Sequence, residues 1–397
     1  MKRRDFLAVT AAATTLRAAS ASEHSMLMLT TDQGDRLRQL VPKASGHAAV
    51  LLSQLRSMAD KQLTQGPWNV VSHRPPGTTF DPHEYYSEGP YFWPDPKNPK
   101  GPYIRKDGER NPDRFVHNRN DLGSMSTAVL TLGLGAYLFD DPRYAQRAAK
   151  ILDAWFIDPQ SKMKPDLEHG QAVRGVNDGR GTGLIDTVSF IQCVQGIILL
   201  GKAGRLEPAM ARALRDWFQL FLQWMTSSAK GMAEGKSGNN HETWWTAQVA
   251  AYATLTGNSG VLDMAWDHYR TRLVPAEIQP DGSCPREEAR TNSLSYSAFN
   301  ADAFATLCRI AQSAGVDLWS FQAPNGVSYE KLVHYVAPYV LHPDKWKGKQ
   351  ISPFKPDSTI FLGLAGVGLH DKGLLEAHQS LPRAESPWIA FVDLVVG

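Results

Sequence analysis

The sequence predicts an all-α protein built from stacked helix pairs, and three observations predict it. Apolar residues recur at helical spacing from about residue 44 onward. Several of these periodic stretches share one plan, two helices joined by a short polar turn. Between them lie loops too rich in Pro, Gly and charged residues to continue either helix.

The clearest pair runs from Thr127 to Phe156. Ala128, Leu130, Leu132, Leu134 and Tyr137 lead to the break Asp140-Asp141-Pro142, and Tyr144, Ala148, Ile151, Leu152 and Trp155 follow. Pro142 falls where the first turn of a helix tolerates it, because an N–H there has no intrahelical acceptor to lose. Ile185 to Met225 reads as a second pair, broken near Gly201 to Arg205. A third runs from Trp244 through Ala251, Tyr252 and Leu255 to the turn Thr256-Gly257-Asn258, then through Leu262, Ala265 and Tyr269. A fourth is expected from Ala298 to Phe321, broken near Gly315. Repeated hairpins of this kind bury their apolar faces by stacking side by side.

The chain has 397 residues, 42% hydrophobic and 21% charged, enough apolar material for one large domain. Residues 1–21 read as a twin-arginine export signal. Arg3 and Arg4 precede Phe6-Leu7, a weakly apolar run follows from Ala8 to Leu16, and Ala19-Ser20-Ala21 offers a cleavage site. Residues 22–397 are then a single domain, with a periplasmic or secreted address. Cleavage removes Lys2, Arg3, Arg4 and Arg17 with one acid, Asp5, so a net charge of +2 becomes −1. The basicity belongs to the signal, and no Lys/Arg-dense face suggests a nucleic acid partner. No later run approaches the roughly 18 consecutive apolar residues of a membrane span, so no membrane partner is expected after cleavage. Cys193, Cys284 and Cys308 are odd in number and far apart, which suits buried thiols better than a zinc site or a disulfide framework.

The loops carry the chemistry. Residues 66–120 are dense in aromatic residues, among them Tyr85, Tyr86, Tyr91, Phe92 and Trp93, and a loop this long in a compact domain is functional or disordered. Aromatic density argues for order. Tyr85, Tyr86, Tyr91 and Trp93 suit stacking on sugar rings or packing of the loop. Two short sets, Phe115 to Asp121 with His117, Asn118 and Arg119, and Arg174 to Arg180 with Asn177, combine Arg, Asn and Asp as a site for a carboxylated, hydroxylated polymer would. They serve equally as hydrogen-bonded loop anchors. Asn239-Asn240-His241 opens a helix, where an amide caps the first turn and the free N–H groups favour an anion.

If Arg290 and Tyr296 turn toward His241, the set can eliminate across a uronate linkage. The ring proton next to a carboxylate is removed only when the carboxylate's charge is offset, which Asn, His and Arg donors can do. Tyr296 can then take that proton or give one to the departing oxygen. A tyrosine with an unperturbed pKa of about 10 needs a nearby cation to act as a base. Capping alone for Asn239 and Asn240, a packed tyrosine for Tyr296 and an ion pair to Glu287 or Glu288 for Arg290 are the plainer alternatives.

Asn239-Asn240-His241 before an aromatic helix, followed by Arg290 and Leu294-Ser295-Tyr296, resembles the alginate-lyase-like polysaccharide lyases. Glu88 to Pro96, Asp107 to Pro112 and Arg290 to Ser297 are similar to a branch associated with glucuronan and alginate cleavage. The resemblance implies an α/α toroid, an incomplete barrel of about six to seven helical hairpins with long loops lining a central cleft. It also implies Asn240 and His241 as carboxylate neutralisers, Arg290 as a supporting cation, Tyr296 as base, acid or both, an acidic polysaccharide as partner, and no metal or cofactor. Where better-known members carry a second basic residue before the Leu-x-Tyr stretch, this chain has Asn292 and Ser293. Two other readings compete: a glycoside hydrolase using carboxylates such as Glu242, Asp178 and Glu88, and an exported protein that binds acidic glycans without turnover.

Overall fold

The computed structural model describes residues 25–75 and 77–397, so the export segment expected at residues 1–21 lies outside the described residues. Helices α1 (Thr31–Leu40) and α2 (Gly46–Gln62) come first, then the long loop, then α3 (His117–Phe139) and α4 (Pro142–Leu152). Next come α5 (Phe190–Lys202), α6 (Pro208–Ser227), the short α7 (Ala229–Glu234), α8 (Asn240–Thr256) and α9 (Ser259–His268). After the short α10 (Val274–Glu277) and α11 (Pro285–Glu288) come α12 (Ser293–Ser313), α13 (Tyr329–Leu341), α14 (Phe361–Gly368), α15 (Lys372–Ser380) and α16 (Pro387–Val396).

The turn chemistry explains the hairpins. Asp141 accepts the N–H of Arg143 in front of Pro142, and Asn258 accepts the N–H of Val261, so each second helix starts capped. The fourth pair differs from the sequence reading. Gly315, at φ +79, ends α12, and residues 314–328 form a loop whose Leu318 and Trp319 are buried, so their apolar spacing belongs to a packed connection. The second helix begins only at Tyr329, where Ser328 caps Lys331 N. Helix α3 starts at His117 rather than Thr127.

Inner helices follow one another around a ring. Helix α3 packs on α5, α5 on α8, α8 on α12, α12 on α14, and α14 on α16, which returns to α2 and α3. Outside them, α4 lies on α3, α6 and α9 on α8, α13 on α12, and α15 on α14. The result is a double-layered α/α toroid. Inner helices are covered on both sides, so from Asn240 to Ala253 every residue of α8 except His241 is buried. Helix α3 is long and apolar enough to pass as a membrane span, but 78% of that stretch is buried inside the protein. It meets α5 backbone to backbone: a Cβ on Gly196 would stand 2.4 Å from Val129 O, and one on Gly133 2.6 Å from Gly196 O. Only glycine permits that approach.

The long loop is ordered by small sheets. Strand β1 (Tyr86–Glu88) runs parallel to β4 (His169–Ala172), pairing Tyr86 with His169, and β2 (Phe92–Trp93) runs antiparallel to β3 (Ile104–Arg105). At the other end of the ring, Met26 to Leu29 are buried. Gln195 holds this segment through Met28 N and Met26 O, each at 3.0 Å, and Arg309 donates to Met28 O at 2.8 Å. All three cysteines are buried and free.

Candidate active site

Four segments that begin inner helices meet at one cavity of about 840 Å³. Arg119 lies in the first turn of α3, Asp186 just before α5, Asn240 and His241 open α8, and Ser295 and Tyr296 lie in the first turn of α12. Helix N-termini carry free N–H groups and about half a positive charge each, so the fold itself makes this end of the ring receptive to anions. Tyr91, Phe92, Arg110 and Arg114 from the long loop, and Gln171, Arg180 and Thr182 from the second loop, complete the walls.

Asn239 caps α8 by accepting His241 N at 3.0 Å and itself lines the cavity. Asn240 is fixed by Glu287, which accepts its backbone N–H at 2.7 Å and its amide Nδ2 at 2.8 Å. Burial pushes the Glu287 carboxyl above its usual range, and these two donors oppose the shift. His241 Nδ1 lies 2.5 Å from Glu234 Oε1. A carboxylate only accepts, so Nδ1 carries the hydrogen and Nε2 is left free for the cavity side. Behind them Glu242 takes the N–H of Gly238 at 2.7 Å and His268 Nε2 at 2.8 Å, pinning the loop that leads to Asn239.

Arg290 grips Asp107 through Nε and a terminal nitrogen, at 3.1 and 2.7 Å, and donates to Tyr296 Oη at 2.8 Å. Burial works against it, yet the Arg290 guanidinium and the Thr291 donors hold the Asp107 carboxyl far below the usual carboxylate range. The same guanidinium lies 3.7 Å from the centre of the Tyr296 ring. Tyr296 Oη is also 2.7 Å from Tyr91 Oη. Burial raises the Tyr296 phenol well above its ordinary value, Tyr91 adds to the rise, and Arg290 opposes it. At rest, Tyr296 is therefore a protonated phenol clamped between a cation and a second phenol.

The structure brings together Asn239, Asn240, His241, Arg290, Tyr296, Arg119 and Arg180 around the cavity, with Tyr91, Phe92 and Glu88 also in its wall, and leaves Tyr85, Tyr86, Trp93, His117, Asn118, Arg174 and Asn177 outside its lining. Tyr85 is fully buried and hydrogen-bonds Asp186 at 3.1 Å. Tyr86 gives its hydroxyl to Glu88 at 3.0 Å. Arg174 forms an ion pair with Glu88 at 2.7 Å, Asn118 ties down Val70 O and Tyr86 N, and Asn177 accepts Gly179 N. His117 stacks on His73, and the Trp93 indole donates to Glu109 O. These residues shape the loops that form the cleft walls. Arg119 also has a structural tie, to Asp186 at 3.1 Å. Arg290 pairs with Asp107, not with Glu287 or Glu288. The sequence reading missed Glu234, Glu287 and Asp107 as supports and Arg110 and Arg114 as cleft arginines. The Asp107 to Pro112 stretch had marked Asp107 and Arg110 without giving them a role, and Glu234 ends the helix that leads into the loop before His241.

The alginate lyase family matches residues 69–346. An alginate lyase from Bacteroides ovatus is 31% identical over 92% of this chain and 98% of its own, with a TM-score of 0.86. Alginate lyase A1-III from Sphingomonas species A1 shares the fold at 16% identity and a TM-score of 0.61, over 92% of this chain and 94% of its own. A variant of that enzyme complexed with a tetrasaccharide superposes with a TM-score of 0.63 at 16% identity, over 96% of each chain. No curated relative matches. With its toroid, its cleft and this likeness over most of its length, the chain belongs to the alginate lyase family and is a polysaccharide lyase.

Proposed function

We propose that the chain cleaves a 1,4-linked polyuronate, polymannuronate-type alginate or glucuronan, by β-elimination. Asn240, with the amide hydrogen not engaged by Glu287, and His241, oriented by Glu234, neutralise the carboxylate of the reacting uronate. That offsets charge on the enolate-like intermediate formed when the neighbouring ring proton leaves. Tyr296 is the acid–base group: it first loses its phenol proton to solvent, the phenolate oxygen then takes the ring proton, the bond to the glycosidic oxygen breaks, and that oxygen leaves with the proton just taken, which restores the phenolate. A double bond remains in the sugar. Arg290 favours the phenolate that the abstraction requires, and Asp107 holds Arg290 in place.

The observation that carries this reading is the Arg290–Tyr296–Tyr91 chain of contacts in the cavity that also holds Asn240 and His241. The hydrolase reading finds no free carboxylate pair: Glu242 is engaged by His268 and Gly238, Asp178 lies outside the cavity, and the two carboxylates in its wall beside the site, Glu88 and Asp186, are paired with Arg174 and Arg119. The twin-arginine start of the sequence supports a periplasmic or secreted address, which fractionation of expressing cells checks. The deciding experiment follows ultraviolet absorbance of the unsaturated uronate with glucuronan, polymannuronate, polyguluronate and a neutral glucan. A rise with at least one acidic polymer and none with the glucan is expected. New reducing ends without absorbance would establish hydrolysis instead.

A further inference from the structure

The two helices that open into the site are started in different ways. Helix α8 is capped by the residue in front of it, Asn239. Helix α12 has Asn292 in that position, yet Asn292 caps nothing, and its side-chain oxygen accepts Ser352 N at 2.9 Å instead. The amides of the first turn of α12 are satisfied from 56 positions further along the chain. Ser293 N donates to Lys349 O at 2.8 Å. Gln350 Oε1 accepts Leu294 N at 3.1 Å and, at longer reach, Ser295 N at 3.5 Å. The Gln350 amide nitrogen donates to Ser295 Oγ and to Ser352 O, each at 2.8 Å.

Residues 346–352 thus form a strap across the start of α12. At one end the Trp346 indole donates to Ser293 Oγ at 2.7 Å and packs edge-on against Tyr339 of α13, with ring centres 4.9 Å apart. At the other, Ile351 N donates to Thr291 O at 3.0 Å. The long loop grips the same turn from a second direction. Asp107 accepts Thr291 N at 3.1 Å and Thr291 Oγ1 at 2.9 Å. Gly108 lies so near that a Cβ on it would stand 2.3 Å from Thr291 Oγ1 and 2.9 Å from Ile351 Cδ1. The segment from Arg290 to Tyr296 is therefore clamped between loop and strap, and Ser295, Tyr296 and Ser352 all line the cavity.

A first helical turn without a cap leaves its N–H groups unpaired and frays. Fraying at this turn would carry Tyr296 away from Arg290, and proton transfer tolerates little misplacement. We infer that Gln350 is a positioning residue for the reaction: acting as a cap supplied by the strap, it holds the first turn of α12 so that Tyr296 Oη stays on Arg290 in the cavity shared with Asn240 and His241. The inference rests on the elimination reading above, in which Tyr296 carries out the chemistry.

The test compares the whole mature enzyme with Gln350→Met and Gln350→Glu on the best-cleaved polyuronate. Gln350 is half-buried between the exposed Lys349 and Ile351, so neither replacement endangers the fold. Methionine keeps the length and removes both functions of the amide, and kcat is expected to fall about tenfold with KM within about twofold of wild type. Glutamate keeps an acceptor for Leu294 N, and its charge suits a helix start, while the exposed Ser352 turns its oxygen to water. In Gln350→Glu, kcat is expected within about threefold of wild type and KM is expected to rise, because the added charge repels an anionic polymer. A residue that merely held the fold would lower kcat in both variants together. A wild-type kcat in Gln350→Met, or equal losses of kcat in the two variants, would overturn the assignment. Amide hydrogen exchange of residues 291–297, read on the same samples, should quicken by about tenfold in Gln350→Met and not in Gln350→Glu, and unchanged exchange would overturn the cap. Exchange decides the cap even if the wild type forms no double bond, an outcome that sinks the elimination reading alone.

Discussion

The two ends of the helical ring carry similar polar side chains and use them in opposite ways. At the end entered by residues 25–29, Gln195 is satisfied by Met26 O and Met28 N, Arg309 by Met28 O, Gln312 and Gln33, and Ser313 by the backbone of Leu27. Every one of those contacts is internal, and the segment is sealed. At the cleft end, Asn240, His241, Arg290 and Tyr296 are each steered by a partner in the protein and still line the cavity. Complete satisfaction makes a seal, whereas oriented but incomplete satisfaction makes a site. Mutations at the two ends should therefore separate activity from stability.

The largest effect is expected from Tyr296→Phe, which removes the hydroxyl that meets Arg290 and Tyr91. A rate loss on the order of a thousandfold or more is expected, with an unchanged melting temperature and retained binding of polyuronate. Turnover within a few-fold of wild type would take Tyr296 out of the chemistry. Glu234→Gln is subtler, since glutamine keeps an acceptor for His241 Nδ1 and loses only the charge. A fall of about tenfold in kcat with little change in KM is expected, and about a hundredfold for Glu234→Ala, as for a group acting through the residue it orients. A rise in KM alone would show instead that Glu234 merely shapes the cleft. Arg309→Met tests the sealed end: it strands Met28 O and Gln312 Oε1, while Gln33 Oε1 keeps the Thr30 N–H, and should cost about 2 kcal/mol of stability, visible in denaturant melts, while kcat at room temperature holds.

The same contrast explains what could be read from the sequence. Hairpins were legible where a turn has its own chemistry, as at Asp141-Pro142 and Asn258, because capping and periodicity are local properties. The connection after Gly315 was not, since Leu318 and Trp319 are apolar for tertiary reasons and mimic a helical face. In the site, Asn240, His241, Arg290 and Tyr296 could be picked out because their types suit one reaction and the resemblance grouped them. Tyr85, Asn118 and Arg174 looked like ligand contacts for the same reason and turned out to hold loops, because side-chain type does not say which neighbour comes first. Glu234, Glu287 and Asp107 needed the fold: Asp107 meets Arg290 across 183 positions of sequence.

The smallest predicted effect lies beneath the cleft, where Glu277 in α10 touches both α8 and α12. One oxygen accepts Thr243 Oγ1 at 2.9 Å and Asn300 Nδ2 at 3.1 Å, and Glu242, Glu287 and Cys284 are its titratable neighbours. Burial pushes its carboxyl up to about 8, against the two donors and with help from Glu287 and Glu242. An unfolded glutamate ionises near about 4.3, so the folded protein keeps a proton that the unfolded chain has lost. Its contribution is fully present below that value and declines as pH rises through the folded value of about 8. Glu277→Gln keeps an acceptor for Thr243 and abolishes the titration. Its melting temperature should match wild type at acid pH and exceed it by a few degrees at alkaline pH. Parallel curves for the two proteins would shift the alkaline sensitivity to Glu287, whose burial beneath Asn240 ties it to the site itself.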